Sequence, residues 1–233
     1  MNAIPTYPYR QIRSFVRREG RITPRGAKAL NDLWPKYGLI LEPGDLVDLN
    51  AVFGRTADII LEIGFGDGQS LIEMAKREPE CDFIGIDVYR TGIGSLLAAI
   101  DEQGLGNLRV FCKDAMEVLA ENIPDNFLRR IQVFFPDPWP KKRHQKRRLV
   151  QAPFIKLAAK KLIIGGLLHL VTDWMDYAYQ MMSELSASPC FMNTAGEGQF
   201  MPRPVFRPLT KYEQRGHRLG HQTWDLIFKR VEA

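Results

Sequence analysis

Five short apolar runs, each carrying an acid at or just beyond its C-terminal end, set the strongest limit on how this chain can fold. They are 57–63 (ADIILEI), 82–88 (DFIGIDV), 108–112 (LRVFC), 131–135 (IQVFF) and 166–172 (GLLHLVT). Runs of this length between turn residues read as strands buried on both faces. Between them, Leu71, Ile72, Met74 and Ala75 recur at helical spacing up to Pro79, and 94–102, 115–121, 154–162 and 174–185 also read as helices. Strands alternating with helices predict βαβ units, an α/β fold with a mostly parallel sheet. Residues 223–231 (TWDLIFKRV) alternate in polarity and predict an antiparallel C-terminal edge strand.

The segment before this pattern reads differently. Residues 1–50 are rich in Arg and punctuated by Pro5, Pro8, Pro24, Pro35 and Pro43, which predicts a basic N-terminal arm with at most short helices, followed by one domain over 51–233. Three scattered cysteines give neither a disulfide framework nor metal-ligand spacing. The N-terminus shows no apolar signal region, and the longest near-apolar run, Leu162 to Val171, is ten residues and includes His169. The expectation is a cytoplasmic protein with no membrane segment and no metal.

The net charge of +5 conceals a segregation. Windows 10–28, 141–148 and 203–218 hold 18 of the 32 Lys and Arg but only two acids, Glu19 and Glu213, so they carry +16 while the rest of the chain carries −11. An acidic body with concentrated basic segments fits a polyanion-binding surface.

In an open parallel sheet, ligands bind beyond the carboxyl ends of the strands. The residues there are Glu62-Ile63-Gly64-Phe65-Gly66-Asp67-Gly68, Asp87, Asp114, Pro136-Asp137-Pro138-Trp139 and Asp173. The glycine spacing is E-x-G-x-G-x-G rather than the G-x-G-x-x-G of a dinucleotide loop, and an acid precedes it. A carboxylate there repels a pyrophosphate but suits an ammonium. Gly64 and Gly66 permit a tight turn and close ligand approach, Asp87 suits a ribose diol, and Asp114 can accept from an adenine amino group. This is the layout expected for S-adenosylmethionine, cationic and free of phosphate. The plain alternative is a tight turn with acids that cap helices, above all for Asp114.

The run FFPDPWPKKRHQKRR (134–148) sets an acid between two prolines, then a Trp, then a basic octet. Prolines fix the backbone. An aromatic ring beside a carboxylate suits a nucleobase, and the basic residues suit phosphates. A rigid turn with Trp139 packed in the core is the alternative. Phe134, Phe135, Cys112 and His169 read as core residues. His217 and His221 lie four apart, but Gly216 and Gly220 predict a loop and no third metal ligand is evident.

The runs LEIGFGDGQSL, FFPDPWPKKRHQKRR, TDW (172–174) and TKYEQRGHRLGHQTWDL (210–226), in this order, resemble the bacterial tRNA (guanine-N7-)-methyltransferase family. The resemblance implies a Rossmann-like S-adenosylmethionine-dependent methyltransferase fold and methylation of N7 of guanine 46 in the tRNA variable loop. It implies cofactor contacts at Glu62, Asp87, Asp114 and Asp137, with Asp137 the active-site acid. It implies substrate contacts at Lys141, Asp173, Thr210, Lys211, Tyr212 and Glu213, and RNA contacts by Arg143, His144, Gln145, Lys146, Arg147 and Arg148. Asp87 departs from the family, which often has Glu there, so its reach is one methylene shorter. Alternatives from other classes are a methyltransferase acting on an exocyclic amine, a non-catalytic RNA-binding module and a nicotinamide oxidoreductase. Monomer and homodimer are both open.

Overall fold

The computed structural model describes residues 13–15 and 22–232. Strands β1 (Ile59–Ile63), β2 (Asp82–Ile86), β3 (Leu108–Phe111), β4 (Leu128–Phe134) and β5 (Leu162–Thr172) run parallel, in the order β3-β2-β1-β4-β5. Every residue of β1 and β2 is buried, which is why these strands are written as near-continuous apolar runs rather than alternating ones. Helices α4 (Gln69–Arg77), α5 (Arg90–Glu102), α6 (Ala115–Glu121), α7 (Ala152–Lys161) and α8 (Met175–Ser186) cross between the strands or follow β5. The chain steps outward from β1 to β2 and β3, then returns to place β4 on the other side of β1. That reversal opens a crevice at the carboxyl ends of β1 and β4.

The C-terminal strand β7 (Trp224–Arg230) is antiparallel to β5, as its alternation suggests, but it is not the edge. A three-residue strand, β6 (Phe191–Asn193), pairs outside it and takes the edge position. The segment expected to be a loop around Gly216 is a helix, α9 (Lys211–Arg218), whose first turn begins after Thr210, with Thr210 Oγ1 accepting from the Glu213 amide at 3.1 Å. Capping by a hydroxyl offsets the interior glycine.

A boundary at residue 50 does not separate two bodies. Helix α1 (Pro24–Asp32) starts at a Thr23 cap with proline in its first turn, and it packs on α5 where Gly26 faces Gly94. A β-carbon on Gly94 would stand 2.6 Å from the Gly26 carbonyl, so only glycine allows that approach. After the short helix α2 (Trp34–Tyr37), the Tyr37 hydroxyl donates to Asp101 at 2.9 Å and the Leu39 amide donates to Val110 at 2.8 Å. Val47 and Leu49, at the start of α3 (Leu49–Phe53), belong to the core beside β1 and α6. The described part of the expected arm is therefore a layer of the domain, while 1–12 and 16–21, with most of its arginines, lie outside the described residues.

Candidate active site

Glu62 is a buried acid at the floor of the glycine loop. It is 2% exposed and stands directly opposite Gln132 in the β1–β4 register, and Gln132 Nε2 donates to its Oε2 at 2.8 Å. Burial pushes the carboxyl up to about 7, against the lowering effect of that hydrogen bond. The loop that follows turns through three left-handed glycines, with φ of 75°, 61° and 79° at Gly64, Gly66 and Gly68. A β-carbon added at Gly64 or Gly66 meets nothing within 4 Å, so both face open space. A β-carbon on Gly92, at the start of α5, would lie 1.9 Å from the Gly66 carbonyl, which packs the loop against that helix.

Asp87, after β2, holds this loop from the other side. Its Oδ2 accepts from the Gly66 amide at 3.0 Å, and its Oδ1 accepts from the Val88 and Tyr89 amides at 2.7 and 2.9 Å. Burial raises the carboxyl above its usual range, partly offset by those amides. With roughly four lone-pair sites on a carboxylate, these bonds leave about one, on Oδ2, for a ligand hydroxyl.

Two cavities meet at the crevice. One, about 550 Å³, is bounded by Gly64, Asp87, Tyr89, Lys113 and Asp137; the other, about 350 Å³, by Glu62, Gly66, Ser70, Asp137, Asp173 and Thr210. Gly64, Phe134, Phe135 and Asp137 line both. Asp137 is exposed, on the loop after β4, where Phe135 and Trp139 both take left-handed φ, 53° and 45°. Non-glycine residues in that region carry strain that surrounding contacts must hold, and such strain clusters at functional sites. Phe134, expected as core, is buried yet forms part of both cavity walls.

Other predicted residues are placed differently. Asp114 caps α6, accepting from the Met116 amide at 2.9 Å, and lines a separate cavity of about 430 Å³ that shares Ser14 and Leu149 with the 550 Å³ one. Trp139 is neither in the core nor free: its Nε1 donates to the Ser14 carbonyl at 3.2 Å, and the Arg147 guanidinium lies 5.0 Å from its ring centre. Lys142–Arg147 form a 3₁₀ helix with Lys141 as its cap, and Lys141, Arg143, Lys146 and Arg147 are exposed.

Arg148 does not share that exposed face. It is 4% exposed, donating to the Pro138 carbonyl, to Gln180 and to Asp176, with its guanidinium over Tyr177. Glu213 is likewise withdrawn from a substrate-facing position. It is buried on α9 and paired through both oxygens with Arg207, at 2.6 and 2.7 Å. Arg207, itself fully buried, also binds both oxygens of Asp225, at 2.8 and 3.0 Å, and Asp225 bonds His169 at 2.8 Å. These bonds fasten the segment that carries Thr210 to β7 and β5. The side chains of Lys211 and Tyr212 lie outside the described residues, and among the described residues no His, Cys, Asp or Glu cluster could hold a metal.

Several site residues escaped sequence reasoning, Tyr89 and Lys113 in the 550 Å³ cavity among them. Gln132 was legible as the one polar interruption in IQVFF. Ser70, whose buried Oγ lacks a hydrogen-bond partner among the described residues, follows the glycine loop. Ser14 and Phe15, in the wall of the 550 Å³ cavity, and Arg207, inside a basic segment, carry no distinguishing pattern.

The raised Glu62 carboxyl has a stability consequence. A carboxyl whose folded value lies above its unfolded one stabilises the fold fully below about pH 4.5, and that contribution is lost as pH rises toward 7. Glu62→Gln should therefore unfold at a higher temperature than wild type at pH 8, on the order of 2 kcal/mol more stable, with no such gain at pH 4. Equal differences at the two pH values, by thermal unfolding, would contradict a strained Glu62.

Comparison with known proteins agrees with this architecture. A family model described as "Putative methyltransferase" matches residues 56–226. A tRNA (guanine-N(7)-)-methyltransferase of Aeromonas hydrophila is 56% identical over 222 residues, covering 95% of this chain and 93% of the relative. That of Escherichia coli K12 is 53% identical over 225 residues, covering 97% and 94%. Among solved structures, the 16S rRNA methyltransferase KamB superposes with a TM-score of 0.57 at 16% identity, covering 81% of this chain and 95% of that one, a likeness of fold. Sequence identity at this level across nearly the whole of both chains, on a methyltransferase fold, means that the chain belongs to the tRNA (guanine-N(7)-)-methyltransferase family.

Proposed function

We propose that the methyl donor is S-adenosylmethionine and the acceptor N7 of guanine 46 in the tRNA variable loop, the reaction occurring in the cytoplasm. The observation that carries this reading is the pair of cavities sharing Asp137 and Gly64, one reaching Asp87 and the other Glu62, Asp173 and Thr210. The donor set fits the cofactor. Open space at Gly64 and Gly66 is a cradle, the Ser70 hydroxyl has no hydrogen-bond partner among the described residues, and Glu62, Asp67 and Asp87 supply negative charge where a phosphate would be repelled. Glu62 would hold the ammonium, Asp87 the ribose, and Asp114 and Asp137 would complete the contacts. When bound, S-adenosylmethionine supplies an electrophilic methyl group.

Guanine N7 carries a lone pair and no proton, so the chain needs no general base to make a nucleophile. Its task is orientation, which can contribute roughly 7–11 kcal/mol to barrier lowering. Asp137, fixed between prolines, faces charge that persists from the sulfonium to the methylated base, and Asp173 and Thr210 would orient the guanine from the far wall. Lys141, Lys211 and Tyr212 would contact the substrate nucleotide. Arg143, His144, Gln145, Lys146 and Arg147 would meet its backbone.

Asp137→Ala should lower turnover by about 100-fold or more while tRNA affinity stays within a few-fold, with methylation mapped by borohydride–aniline cleavage at the modified guanine. A variant whose pH–rate profile loses a titrating limb would instead identify Asp137 as a base.

The basic segment separates into two behaviours. Replacing Arg143, Lys146 and Arg147 together should flatten the salt dependence of tRNA binding by up to about 0.7–0.9 for each phosphate no longer neutralised. Arg148→Ala should leave that slope unchanged and cost about 2–3 kcal/mol of stability through the bonds to Asp176, Gln180 and Pro138. A flattened slope for Arg148→Ala in a fully folded protein would return it to the RNA surface.

A further inference from the structure

We propose that Trp174 is the stacking platform for a nucleobase adjoining the methylated guanine; this rests on the reading of tRNA as substrate. Trp139, the aromatic suggested by the sequence for that task, is occupied by Arg147, His144 and Ser14. Trp174 is not. It follows Asp173, a wall residue of the 350 Å³ cavity, and its amide donates to Thr172 Oγ1 at 3.2 Å, which fixes the backbone next to that wall residue. The residue is 40% exposed, and among the described residues its ring has no hydrogen-bonding, aromatic or cationic partner.

The surroundings extend the same surface. Met175 and Tyr179, one turn apart on α8, are 59% and 58% exposed, and Tyr179 meets Phe200 edge-on at 5.5 Å. Large apolar side chains left open together mark a binding surface. Asp176, in the first turn of α8, accepts from Arg148 at 2.5 Å and from Gln145 at 3.2 Å, which tethers the basic 3₁₀ helix next to the start of α8. An exposed Trp therefore follows directly on a wall residue of the cavity for the target base and precedes by two residues the carboxylate that tethers the helix bearing the exposed cations Arg143, Lys146 and Arg147. Stacking on an aromatic face with flanking phosphate neutralisation is how proteins hold unpaired RNA.

The test compares wild type, Trp174→Ala and Trp174→Phe on a tRNA transcript and on transcripts abasic at the nucleotide before or after the target guanine. Trp174→Ala should lower kcat/KM on intact tRNA roughly 5- to 100-fold, mainly through KM, and Trp174→Phe should restore most of it. On one of the abasic transcripts wild type and Trp174→Ala should become equal. Calorimetric affinity for S-adenosylmethionine and the unfolding temperature should match wild type for both variants. Equal activity of Trp174→Ala and wild type on intact tRNA, as for a surface that docks a protein instead, overturns the platform. So does an undiminished difference on both abasic transcripts. A wild-type enzyme that leaves tRNA unmethylated overturns the substrate reading and the platform with it.

Discussion

The pairing of Glu62 with Gln132 is the constraint around which this molecule is arranged. The two residues face each other across β1 and β4, the parallel strands between which the strand order reverses, and a carboxylate there has been taken almost wholly out of water. The Gln132 amide does not compensate that burial, and the carboxyl rises to about 7. The glycine loop immediately after it leaves open space beside the acid, and Asp87 spends three of its acceptor positions on keeping that loop in shape. A buried, poorly compensated acid next to a shaped cavity is a site prepared for a cation, and the proposed cofactor supplies one.

A second buried cluster serves the far wall. Arg207 joins Glu213 on α9 to Asp225 on β7, and Asp225 in turn bonds His169 on β5. Breaking one partner of such a cluster leaves an uncompensated buried charge, so the segment containing Thr210 is held in one place. Phe134 stands against both His169 and Arg207 while lining the cavities, which links the cluster to the end of β4. The same theme recurs at Arg148, which joins Pro138, beside Asp137, to the first turns of α8. Two cations that composition assigns to a polyanion surface instead brace the loops around the site.

That outcome separates what was legible in the sequence from what was not. The parallel strands and the acids at their ends were readable because strands buried on both faces must be written as apolar runs, and the acids interrupt or end them. Gln132 was equally readable as a polar break in such a run. Arg148 and Arg207 were not, because an arginine in a basic segment looks the same whether it meets solvent or a distant carboxylate, and Asp176 and Asp225 lie 28 and 18 residues away. The integration of 24–50 into the domain depends on long-range contacts of the same kind, Tyr37 with Asp101 and Gly26 with Gly94, while the short helices there leave little periodicity. The strand β6 is three residues long, too short to show alternation. Glycines at 216 and 220 pointed to a loop at α9 because propensity carries no knowledge of the Glu213–Arg207 pair that anchors the helix.

The central claim is that Glu62 is the counter-charge awaiting a cationic cofactor. Titration calorimetry of S-adenosylmethionine binding, in buffers of different ionisation enthalpy, tests it most directly. With the free carboxyl near 7, binding at pH 6.5 should release roughly half a proton or more to the buffer, binding at pH 9 should release none through this group, and Glu62→Gln should abolish the pH 6.5 release. Binding at pH 6.5 without proton release in wild type would contradict the account.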